Sequence, residues 1–162
     1  MTGRRTCLPA CAQGRFNELQ CFAALVIRRH ADWLDTVMEA IQGHAVLQHV
    51  DRGELRESVL QVSPSQALDL AKLISAGSLL FGRNESLRAP DAERDDCLRE
   101  VLRAVGNGAQ FFTNHGHAED GEDGDFLTSS FHADVLAGTT IDICLIGVSD
   151  MHVLVLWRFE DD

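Results

Sequence analysis

The stretch VDRGELRESV, residues 50–59, admits two backbones, and the architecture of the chain follows from which one is taken. Continued as helix, it would carry Gly53 in an interior position, at a cost of about 1 kcal/mol relative to alanine. The β-branched Val46, Val50, Val59 and Val62 would also lose rotamer freedom there. As two strands over 44–62, Ala45 and Leu47 share one face, and Leu55 and Val59 alternate with Arg56 and Ser58. Asp51-Arg52-Gly53-Glu54 then supplies a turn, with glycine where a positive φ is needed. The pattern predicts a β-hairpin that reverses at Arg52-Gly53.

The residues that follow strengthen this reading. Ser63-Pro64-Ser65-Gln66 has the order of a helix start, with Ser63 as N-cap, Pro64 at the first helical position and Gln66 closing a capping box. A helix is expected from there to about Phe81, stopped by Gly82, with Leu70, Leu73, Ile74, Gly77 and Leu80 along one face. The small residues Ser75, Ala76, Gly77 and Ser78 permit close approach of a sheet or of another helix. Upstream, apolar residues recur every three or four positions from Phe16 to Gln42, the spacing of an amphipathic helix ended by Gly43. A single helix of that length would span about 40 Å. A break near RRHAD, with Asp32 as a new N-cap, is therefore expected, and His30 reads as a packed histidine rather than a ligand or base.

Residues 1–15 show no periodicity and read as a flexible tail ahead of a single domain over 16–162. Cys7 and Cys11 have no second pair at zinc-site spacing, so no metal site is expected there. Residues 83–125 read as an insertion made of a polar loop, a short helix in DAERDDCLREVLRAV, a short strand in AQFFT and the acidic loop NHGHAEDGEDGD. A calcium loop begun at Asp120 fails, because Gly124 stands where an acid is required and Asp125 where glycine is required. A solvated acidic turn is expected instead. The last segments, FLTSSFHADVLAG, TTIDICLIGVSD and MHVLVLWRFED, read as three strands joined at Ala137-Gly138 and Ser149-Asp150. The second and third are apolar on both faces, so both faces must be covered by helices. The expected fold class is α+β: a central antiparallel sheet of about five strands, the hairpin plus the three-strand meander, with helices on both faces.

At 162 residues, 45% of them hydrophobic, the chain can bury one sizeable core. Its formal charge of −11 repels phosphate backbones and anionic lipid, which argues against nucleic-acid binding. No apolar run approaches the roughly 20 residues that span a bilayer, so no membrane insertion is expected. Five cysteines, with Cys21, Cys97 and Cys144 in apolar stretches, suit reduced thiols and a cytoplasmic location.

The order helix, hairpin, helix, meander resembles the Roadblock/dynein light chain family, a profilin-like fold. The stretches that carry the likeness are HAVLQHVDRGELRESV, SPSQALDLAKLISAGSLLFG and DVLAGTTIDICLIGVSDMHVLVLWRF, within roughly residues 32–160. The resemblance implies a non-catalytic scaffold or adaptor without a cofactor. It implies a homodimer, or a heterodimer with a similar domain, and a small GTPase or other protein as partner. Its dimer would pair the third strand, Leu127 to Val135 with Phe131 on it, edge to edge with its mate. The helices bearing Leu70, Leu73, Ile74, Gly77 and Leu80 would pack together.

Two other readings compete with this one. A metal-binding enzyme could use His115, His117 and His132 with the acidic loop, within 115–132. A small acidic chaperone or immunity-type protein would need only a binding surface. No GxSxG, P-loop or HExxH pattern occurs, so no catalytic, cofactor or metal residue is assigned.

Overall fold

The computed structural model describes residues 5–16, 19–76, 84–127 and 133–161. They form an α+β fold around an antiparallel sheet. Its strands are β1 (Arg5–Thr6), β2 (Cys21–Ile27), β3 (Leu60–Val62), β4 (Gln110–Thr113), β5 (Ile141–Val148) and β6 (His152–Glu160), in the spatial order β1-β2-β6-β5-β4-β3. The helices are α1 (Trp33–Ile41), α2 (Arg52–Ser58), α3 (Pro64–Ser75) and α4 (Ala92–Arg103). Both faces of the sheet are covered. Leu154, Leu156, Ile143 and Leu145 face α3 and α4, whereas Val153, Val155, Trp157, Cys144 and Ile146 face α1, α2 and Leu47. This two-sided burial is what the doubly apolar middles of β5 and β6 require.

The hairpin expected at 44–62 does not form. Residues 47–49 make a 3-10 turn, 52–58 a helix, and 60–62 an edge strand that pairs with β4. Asp51 decides the outcome: its Oδ2 accepts the Glu54 N–H at 3.0 Å and caps α2. Arg52 then donates to Asp35 (2.7 Å) and Asp32 (2.8 Å), and Arg56 also reaches Asp32, tying α2 to α1. Gly53 lies within the helix and is not among the glycines of positive φ.

The N-terminal helix expected over 16–42 forms only in its second half. Asp32 is the N-cap of α1, as its position suggested, with Oδ1 accepting the Leu34 N–H at 3.0 Å. The first half is β2, paired with β6 from Cys21↔Arg158 to Ile27↔His152. Cys21, Ala23 and Leu25 face one core, and Phe22 and Val26 the other. A strand that is apolar on both faces also satisfies helical spacing, and this is why periodicity misreads it.

Helix α3 keeps the expected capping box but ends at Ser75. Arg158, buried on β6, donates from Nη1 to the Ile74 carbonyl at 3.0 Å and satisfies one of the orphaned carbonyls of that helix end. The end expected at Phe81-Gly82 lies outside the described residues.

The described residues of the segment 83–125, from 84 on, pack into the core and the sheet. Leu98, Val101, Leu102 and Val105 are buried, and β4 lies between β3 and β5 in the sheet. The Cα of Gly147 on β5 lets Phe111 and Val105 approach closely, since a Cβ there would meet Phe111 Cε1 at 2.9 Å. The described part of the tail is also bound to the domain: Arg5–Thr6 pairs with β2, Ala12 and Phe16 enter the core, and Cys11 is disulfide-bonded to Cys97. The expectation of reduced cysteines is corrected for this pair, with Cys7, Cys21 and Cys144 outside the disulfide.

Candidate functional site

Of the residues expected to form a dimer face, Leu70, Leu73, Ile74, Leu127 and Val135 are among the described residues. Leu70, Leu73 and Ile74 are fully buried against the molecule's own sheet, because α3 covers the face of β5 and β6 that needs it. Gly77, Leu80 and Phe131 lie outside the described residues. Leu127 is buried in a turn, and Val135 is 46% exposed in a segment without regular structure. Among the described residues of 127–135, Ala133 forms a β-bridge to His115 and Asp134 hydrogen-bonds with Asn114, while β5 is paired with β4 and β6.

Among the described residues, one end of the sheet is β3. Leu60 is 42% exposed and Gln61 is exposed on this terminal strand. Beside it packs the acidic loop, folded as a 3-10 segment over Gly116–Asp123. The loop is fastened by Gln66, which belongs to the capping box of α3. Gln66 Nε2 donates to the carbonyls of Gly121 (2.8 Å) and Gly124 (3.2 Å). Gly121 kinks the segment at φ 63°, ψ −135°, and a Cβ on Gly124 would sit 2.3 Å from the His117 carbonyl oxygen, so both glycines are required by geometry. Thus anchored, the loop displays Glu119, Asp120, Glu122 and Asp123 to solvent. A shallow cavity of about 340 Å³ lies between edge and loop, lined by Gln61, Val62, Pro64, Gln110, Gly121 and Glu122.

Of the histidines in the metal reading, His115 is buried, its Nδ1 accepts the His117 N–H at 3.1 Å, and its ring meets Phe126 edge-on. His117 Nδ1 lies 3.3 Å from Asp120 Oδ2. His132 lies outside the described residues. Among the described residues, no three His, Cys, Asp or Glu side chains are grouped to hold a metal ion. His115 is engaged in shaping the loop backbone, which gives it a packing role.

A second polar cluster, absent from the sequence reading, is built on Asp142 of β5. Its Oδ2 accepts the N–H groups of Leu136 (2.8 Å) and Ala137 (3.0 Å), and its Oδ1 accepts Trp157 Nε1 (3.0 Å) and Asn114 Nδ2 (3.1 Å). The Asn114 amide continues the β4 ladder with its side chain, accepting from Cys144 N at 2.9 Å and donating to the Asp142 carbonyl at 3.2 Å. Burial, and then the charge of Asp142, push the Cys144 thiol far up from its ordinary value, so it is inert as a nucleophile. A lone acid in IDICLIG, inside a strand apolar on both faces, is the signal that marks this network.

Comparison with known proteins finds no family model, no curated protein and no solved structure that matches the chain. No helix among the described residues is long and apolar enough to cross a membrane.

Proposed function

We propose that the chain is a non-catalytic adaptor whose working surface is the edge of the sheet at β3 together with the acidic loop beside it. The observation that carries this reading is their juxtaposition: a terminal strand with Leu60 and Gln61 exposed, next to a fastened loop bearing Glu119, Asp120, Glu122 and Asp123. An extended segment of a partner can add to such an edge through main-chain hydrogen bonds. The loop carboxylates, and a chain charge of −11, favour a basic segment and speed its encounter.

A second copy of the chain, a related domain or a small GTPase, the partners of a Roadblock-type protein, would each dock in this way. Two of the stretches on which that resemblance rests supply α3 and the strands β5 and β6. The first stretch is helical at 52–58, and the strand that follows it, 60–62, ends the sheet among the described residues.

The test is affinity capture from the native host with mass spectrometry, beside sedimentation velocity, for wild type and Leu60→Lys. The wild type is expected to retain a basic partner or to self-associate. Leu60→Lys is expected to lose that association at an unchanged melting temperature, since a charge on an edge strand disfavours pairing. Association that survives the substitution intact contradicts the proposal.

A further inference from the structure

The chain carries 14 basic residues against 25 acidic ones, yet three of the cations converge on one cavity. Arg15, Lys72 and Arg94 line a space of about 360 Å³ with Ser75, Ala76 and Leu87. Each cation comes from a different element. Lys72 lies in the last turn of α3 and Arg94 in the first turn of α4. Arg15 lies in the N-terminal segment, which the Cys11–Cys97 disulfide fastens to α4 one turn beyond Arg94.

The three are not equally satisfied. The donors of Arg94 are well used: Nε donates to Asp95 Oδ1 at 2.9 Å, and Nη2 to the carbonyls of Leu87 (3.1 Å) and Ala89 (3.2 Å). Lys72 has a side chain only 12% exposed, and its carboxylate neighbours, Asp69 at 3.6 Å and Asp95 at 3.9 Å, both stand beyond hydrogen-bond distance. Asp95 is already engaged by Arg94. Burial also raises the Asp69 carboxyl above its ordinary value against the opposing pull of Lys72, which weakens it as a counter-ion. The Nε of Arg15 is buried without a hydrogen-bond partner. The ion-pair contact of its guanidinium is Glu93 at 3.9 Å, on a side chain 93% exposed.

Lys72 and Arg15 thus bring the hydrogen bonds of two cations to one cavity from separate elements, and the carboxylates nearest to them stand at 3.6 to 3.9 Å. Water can accept those hydrogen bonds but cannot neutralise the charges. A tetrahedral anion presents acceptor oxygens in several directions and so can meet donors from separate elements, where a planar carboxylate suits a single guanidinium fork. We propose that this cavity binds a small oxyanion of the phosphate type, held by Lys72 and Arg15, with Arg94 as its fixed wall.

The experiment is calorimetric titration of inorganic phosphate into the full chain, with sodium acetate as the control anion. An ionic strength of about 0.15 M screens the long-range repulsion from the net negative charge beyond about 8 Å. Saturable one-to-one binding at millimolar concentrations or below is expected, with acetate weaker. Lys72→Met and Arg15→Gln should each weaken phosphate binding about tenfold or more at an unchanged melting temperature. Should Lys72→Met fail to fold, Arg15→Gln carries the test alone, since Arg15 lies outside the helices and strands. Absence of saturable binding, or binding indifferent to Arg15→Gln, overturns the proposal.

Discussion

Asp142 shows what one buried acid can organise. Its two oxygens receive four donors, two from the backbone of 136–137 and two from the side chains of Trp157 and Asn114, and so join β4, β5, β6 and the approach to β5. Asp142→Asn keeps the shape but turns an NH2 group toward one of those donor pairs. It should cost about 2–4 kcal/mol in urea denaturation. His44 makes a different kind of residue-scale link. Its Nδ1 accepts the N–H groups of Val46 (3.2 Å) and Leu47 (3.3 Å), and burial holds the imidazole below its ordinary value. The unfolded chain therefore takes up this proton first as pH falls, and stability contributed by neutral His44 is lost progressively below about pH 6.5 and is complete above it. His44→Asn retains an acceptor without the charge. The fall in urea midpoint between about pH 7.5 and pH 5.5 should be smaller in that variant than in wild type.

At the scale of elements, local punctuation was legible where the side chains act on their own backbone. Asp32 and Ser63 begin helices as their positions suggested, and the short helix in DAERDDCLREVLRAV and the strand in AQFFT both form. The failures came where tertiary pairing overrides spacing. CFAALVI fits helical periodicity but lies between two strands, and Asp51-x-x-Glu54 is a cap signature that a glycine-centred turn obscured. The site was less legible still, because the proximity of β3 to the acidic loop depends on Gln66 reaching carbonyls 55 and 58 residues away. The N-terminal segment adds a further long-range tie. The Cys11–Cys97 bond spans a sequence separation of 86 residues, and removing it with Cys97→Ser should lower stability by about 2–4 kcal/mol. A dithiol reductant should bring wild type down to the same urea midpoint and leave the variant unmoved.

For the whole molecule, the functional reading depends on where the sheet stops. With 52–58 helical, the last strand on that side among the described residues is 60–62, and it lies against the fastened acidic loop. With a hairpin at Gly53, residues 44–62 would contribute two paired strands, and the exposed edge would fall elsewhere. Solution NMR of the full chain with amide hydrogen exchange separates the two most directly. The structure predicts protected amides at Leu55 and Val59, bonded to the carbonyls of Asp51 and Leu55, and cross-strand contacts from Leu60 to Thr113 and from Val62 to Phe111. Cross-strand contacts between residues 45–50 and 54–59, around a reversal at Gly53, would contradict it.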